Sequence, residues 1–302
     1  MRRVMKRPLG YGLAVCVCVM AGHAAARPIT AEEPEETRPD SRVEIAPVLS
    51  EPDVAATYVV IVSGINKDPE ERQAKDRAVL RLQRFLIGDE IAFEERVRVL
   101  VAENSLVRDP SGPSTADNIR RTLAEVAAEL HREDRFVFYY TGQANIVAGT
   151  LRLNVPGPDF TQDELAEWIG AVKAATTVVI LDCPGGGLAV KPLSENGAIV
   201  ICGARSDQVY SPRFSKYFIP ALTDPASDAD NDGRISLLEA FQQTAAQVDA
   251  FYRERDLLKT ETPILEDNGD GVPSQRPWQY STPDEDGWNA ARFFLEAPKR
   301  ES

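Results

Sequence analysis

The chain has 302 residues, with 34 Lys plus Arg against 47 Asp plus Glu, two His and four Cys. A formal net charge of −13 excludes the basic face that phosphate recognition needs, so nucleic acid is not an expected partner. Two His and four Cys leave little material for a His/Cys metal centre or a cysteine–histidine catalytic pair, while 43% hydrophobic residues at this length supply a sizeable core.

Residues 1–26 read as a secretory signal peptide. Arg2, Arg3, Lys6 and Arg7 form its charged start, and Ala24-Ala25-Ala26 offers a small-residue cleavage site. The apolar stretch 9–22 is shorter than the roughly 20 residues a bilayer span takes. Cys16, Cys18 and His23 leave with this segment, together with four cations and no acid. The mature chain would keep 276 residues, a charge of −17, His131, Cys183 and Cys202. It has no other apolar run long enough to cross a membrane, so no span is expected after cleavage. The expected location is secreted or periplasmic. Residues 27–57, rich in Pro and acid, read as a disordered linker.

Regular structure is predicted from Tyr58. YVVIVSGI at 58–65 is a β-branched run suited to a strand buried on both faces. A helix follows over 70–86, then a strand at 96–101 and a helix over 117–132 with Ile119, Leu123, Val126 and Leu130 at helical spacing. RFVFYY at 135–140 is a third strand, and 151–155 a short one. Thr161 with Glu164 forms a capping box for a helix to about Ala174. TTVVILDC at 176–183 and AIVIC at 198–202 are further strands, and 212–222 and 237–255 are helices. Strands alternating with helices predict an α/β protein built on a mostly parallel sheet. Ligands on such sheets sit beyond the carboxyl ends of the strands. The informative segments are therefore SGIN at 63–66, TGQAN at 141–145 and DCPGGG at 182–187.

Together these exits resemble the caspase-like fold of caspases and of legumain-like and gingipain-like cysteine peptidases. VVIVSGIN leads into a helix. FYYTGQ stands where that family has an aromatic strand ending in a Gly-His-Gly-type turn. VVILDCPGGG stands where it has an apolar strand ending Asp-Ala-Cys-x-Ser-Gly. LNVPGPDFTQDEL, SDADNDGRISLLEAF and LEDNGDG are similar to bacterial exported legumain-like proteins. The resemblance implies a three-layer caspase-like domain over 58–265 with about six strands, followed by an acidic turn and aromatic extension at 266–302.

Family chemistry needs a thiolate and an imidazole at those exits. Gln143 stands at the His position, and an amide does not titrate. Without a gap from Asp182, Cys183 falls on the family's Ala and Pro184 on its Cys; a one-residue deletion would put Cys183 on the nucleophile. His131 is expected near the amino edge of the sheet, the wrong side for a substitute. Gly142, Gly185 and Gly186 would be the backbone donors toward a carbonyl oxygen, unless the Gly run is a plain tight turn. The resemblance thus implies a peptidase homologue with a degenerate dyad that binds a peptide or protein partner. An active endopeptidase using Cys183 is the alternative. Cys183 and Cys202 form either a disulfide or two buried small apolar residues.

A separate pattern lies at 228–239. Asp228, Asp230, Asp232, Gly233 and Glu239 fill every specified position of the calcium loop D-x-[DN]-x-[DN]-G-x5-E. Arg234 would contribute its backbone carbonyl, Ser236 a direct or water-mediated contact, and Glu239 both carboxylate oxygens. Pro225 disfavours a helix running into the loop, so a loop-plus-helix calcium site is expected. A calcium-binding structural role is the third reading of the chain. Glu266, Asn268, Asp270 and Gly271 repeat the first half of the pattern, with Pro277 at position twelve. That segment is a second weak site, a ligand donor to the first, or an Asx-rich turn.

Overall fold

The computed structural model describes residues 55–88 and 94–295. The signal peptide and most of the linker, predicted over 1–57, lie outside the described residues, as does the tail beyond Leu295. Elements follow in chain order: β1 (Thr57–Ser63), α1 (Pro69–Gly88), β2 (Val97–Val101), β3 (Gly112–Pro113), α2 (Ala116–Glu129), β4 (Arg135–Thr141), β5 (Ala144–Val147) and β6 (Thr150–Leu153). Then come β7 (Phe160–Thr161), α3 (Gln162–Ala171), β8 (Thr176–Asp182), α4 (Val190–Ser194), β9 (Ile199–Cys202), α5 (Phe214–Ala221), α6 (Leu237–Glu254) and β10 (Ile264–Glu266).

The α/β class is as expected. The central sheet has seven strands in the order β10-β9-β8-β4-β1-β2-β3, against an expected six or so. Every pair is parallel except β10 with β9. A second, antiparallel sheet of β5, β6 and β7 stands beside it. Side chains alternate across a strand, so one sheet feeds two cores. Val60, Val62, Phe136, Phe138, Tyr140 and Leu181 pack against α2, α3 and α4. Val59, Ile61, Val137, Tyr139 and Ile180 pack against α1, α5 and α6. The molecule is therefore helix, sheet, helix in three layers. Burial on both faces explains why β1, β4 and β8 read as continuous apolar runs.

Residues 266–295 pack onto the sheet and its helices. Glu266 pairs with Val200 as the last residue of β10. Phe293 and Leu295 are buried in the α1/α5/α6 core. The Leu237 amide donates to the Phe293 carbonyl, and Arg135 donates to the Phe294 carbonyl.

The predicted capping box is present. Thr161 Oγ1 accepts from the Glu164 amide at 3.2 Å, and Glu164 Oε2 accepts from the Thr161 amide at 2.8 Å. Thr161→Ala is expected to cost about 1 kcal/mol in urea unfolding, the usual loss for an N-cap side chain. A loss near zero would mean that packing alone starts α3.

Candidate functional site

Strand order reverses between β1 and β4, where the exits predicted to matter leave the sheet. The two exits are laced together. Gly64 donates to the Thr141 carbonyl and Gln143 donates to the Ile65 carbonyl, each at 2.9 Å. Gly64 is required there: a Cβ would lie 2.4 Å from the Tyr140 hydroxyl and 2.7 Å from the Asn154 carbonyl.

Gln143 sits half-buried at this exit, and its amide nitrogen donates to Glu71 Oε2 at 3.0 Å. The other Glu71 oxygen accepts from the Ser211 hydroxyl. Burial raises the Glu71 carboxyl above the usual range, opposed by Lys75 and reinforced by Asp182 and Asp68. Glu71, Lys75 and Ser211 line one side of an open cleft of about 580 Å³ with Asp68, Tyr210 and Arg213.

Behind this row the interior is ionic. Lys75 Nζ lies 2.6 Å from Asp182 Oδ2, and both side chains are almost wholly buried. Lys75 also donates to the Pro212 carbonyl at 3.0 Å, and the Thr141 hydroxyl donates to Asp182 Oδ2 at 3.0 Å. Asp182 Oδ1 has no hydrogen-bond partner. The sequence reading missed this pair, although Lys75 is in phase with Val79, Leu82 and Leu86 on the buried stripe of α1.

Cys183, the residue that the active-peptidase alternative would use, follows directly. The residue is 0% exposed and belongs to the α2/α3/α4 core. Burial first, and the Asp182 charge second, push its thiol well above the usual range, the opposite of what a thiolate nucleophile needs. Cys202 is also buried, and both cysteines are free, so the disulfide alternative is replaced by two apolar core residues. His131 lies before β4, at its amino end, 80% exposed beside Asp134.

Two of the three expected oxyanion donors are spent on the fold. The Gly142 amide donates to the Asp182 carbonyl and the Gly185 amide to the Gln208 carbonyl. Gly186 is buried against Leu181 and Cys202. Gly185 makes the turn at φ +65° beneath Ile146. Glu71 and Ser211 line the cleft, Gln143 is hydrogen-bonded to Glu71, and the Cys183 thiol is buried in the α2/α3/α4 core.

No family profile matches the sequence, and no curated protein matches it. Among solved structures the chain is similar to the crystal structure of protein GSU0716 from Geobacter sulfurreducens. The identity is 14% and the TM-score 0.44, over 77% of this chain and 99% of that one. So distant a likeness carries nothing about function.

The acidic loop lies between α5 and α6. A single 3₁₀ turn at Pro225–Ser227, with Pro225 at its start, ends on Asp228, and no α-helix leads directly into the loop. Carboxylate oxygens of Asp228, Asp230 and Asp232 lie within 4.8 Å of one another. Asp228 accepts from the Asp232 and Gly233 amides, Asp230 from Asp232, and Asp232 from Arg234. Asn231 and Gly233 carry φ of 59° and 83°, which fold the chain around the carboxylates. Ile235 is buried as the loop's anchor.

Two expected ligands behave differently. Ser236 is the N-cap of α6, its hydroxyl accepting from the Glu239 amide. Glu239 completes the capping box through Oε2, while its Oε1 accepts from the Ala229 and Asp230 amides. Glu239 thus reaches across the loop but stands outside the close carboxylate set. Arg234 lays its guanidinium over Phe294 at 3.6 Å.

Proposed function

We propose that the chain is an exported, calcium-binding homologue of the legumain-like and caspase-like peptidases that has lost peptidase activity and acts by binding. The observation that carries this reading is the full burial of the Cys183 thiol, with the amide of Gln143 held by Glu71 at the neighbouring exit. An amide moves no proton, and a sealed thiol attacks no carbonyl. Glu71 and Ser211, with Gln143 bonded behind Glu71, are hydrogen-bonding groups at the cleft suited to an extended peptide or a protein loop. Among the described residues no helix is long and apolar enough to cross a membrane.

The calcium part rests on the three convergent carboxylates of the 228–239 loop. Loops of this kind on extracellular modules bind at about 0.1–1 mM. At about 10 mM free calcium that affinity stabilises the fold by about 1.4–2.7 kcal/mol. Melting temperature should rise with calcium, and Asp230→Ala should remove most of the rise. An unchanged melting temperature would sink the calcium reading. For the catalytic part, iodoacetamide should leave Cys183 unlabelled in the native chain and label it on denaturation. Native labelling, with peptide cleavage that Cys183→Ala abolishes, would establish an active peptidase instead.

A further inference from the structure

The turn after β10 has the internal architecture of the 228–239 loop. Glu266 Oε1 accepts from the Gly269 and Gly271 amides at positions four and six, where Asp228 accepts from Asp232 and Gly233 at positions five and six. Asn268 accepts from the Asp270 amide and Asp270 from the Val272 amide, the same two-residue steps made by Asp230 and Asp232. Positions four and six are left-handed in both loops: Asn231 and Gly233 in one, Gly269 at 87° and Gly271 at 76° in the other.

Turn geometry of this kind also occurs without a ligand. A second observation sets this turn apart. Glu266 is 0% exposed, and its Oε2 is buried with no hydrogen-bond partner. A buried carboxylate oxygen left bare is costly, and native folds rarely tolerate one. This oxygen belongs to the group at position one of the turn, whose other oxygen accepts the Gly269 and Gly271 amides. No cation of the chain makes a salt bridge with Glu266 among the described residues.

We infer that Glu266, Asn268 and Asp270, with the Val272 carbonyl, form a second calcium site, which braces the turn against the C-terminal segment. The inference is independent of whether the 228–239 loop binds. Its ligands are hard oxygens at alternating positions, which suit calcium. Position twelve is Pro277, so water completes the shell and affinity falls at the weak end of extracellular sites, about 1 mM. The brace is direct: Asn268 Nδ2 donates to the Asp284 carbonyl at 3.0 Å, and the neighbouring Asp267 carboxylate accepts from the Gly287 and Ala290 amides.

Calcium chloride titration of the full chain, followed at the Gly233 and Gly271 amide resonances in ¹H–¹⁵N spectra, reads the two loops separately. The Gly271 resonance should move and saturate by about 10 mM calcium. Asp270→Ala removes an exposed carboxylate and should weaken that response at least about tenfold while Gly233 responds as before. Asp230→Ala should do the reverse. A Gly271 resonance that stays still in the wild type, or that moves equally in Asp270→Ala, overturns the second site. A silent Gly233 beside a responding Gly271 would remove only the first.

Discussion

Lys75→Met is expected to destabilise the fold by about 3–5 kcal/mol, measured by urea unfolding at pH 7. The ammonium lies 2.6 Å from Asp182 with both groups out of water. Removing it leaves a carboxylate whose Oδ2 keeps only the Thr141 hydroxyl and whose Oδ1 has nothing. Desolvation is then uncompensated, and Asp182 must either take up a proton or draw water into the core. The double substitution Lys75→Met with Asp182→Leu should recover most of the loss, because the attraction and the desolvation cost leave together. A single-variant loss below about 1 kcal/mol would mean that water already screens the pair. The consequence for function is direct. This pair fixes α1 against the exits of β4 and β8, so the ground beneath Gln143 and Cys183 serves stability.

The sheet is legible in the sequence to the extent that burial is two-sided. β1, β4 and β8 are seven-residue runs packed on both faces, and their β-branched and aromatic content follows from that. β3, β7 and β10 are two or three residues long and carry no period to read. β5 exposes three of its four residues, and only its pairing with β6 makes it a strand. The C-terminal aromatics divide in a way composition does not reveal: Phe293 enters the core while Trp288 receives Arg292 at the surface.

The site was half legible. Gln143 and Cys183 could be placed at strand exits because exits follow from strands. The burial of Cys183 could not, since it depends on the packing of the α2/α3/α4 core around it. Lys75 left a trace, a cation in phase with an apolar stripe. Glu71 left none, because an acid in the first turn of a helix ordinarily answers the helix dipole. Its partner Ser211 lies 140 residues away in a loop. The Asp spacing at 228–232 was legible because those ligands are local. Whether Glu239 joins them depends on the competing amides of Ala229 and Asp230.

Asp286→Asn is expected to remove a pH dependence that the wild type shows in calcium-free buffer. Burial pushes the Asp286 carboxyl up to about 7, opposed by a hydrogen bond from the Asp267 amide and reinforced by the Asp267 and Glu266 charges. Unfolded, it titrates near 3.8. Between those values the folded chain holds a proton that the unfolded chain has released. Stability therefore falls as pH rises from about 4 to about 7 and levels off above, by on the order of 2 kcal/mol after screening. Asn keeps an oxygen to accept the Asp267 amide and carries no charge at any pH, so the variant should gain on the wild type at pH 8 and match it near pH 4. Glu71, Glu261 and Glu266 are raised in the same direction, so the variant keeps a residual slope and the difference between the two proteins is the quantity to read. Parallel profiles would mean that Asp286 stays ionised in the fold and that water reaches the turn. A difference that calcium abolishes would tie this proton to the cation at Glu266, since both relieve the same crowding of negative charge.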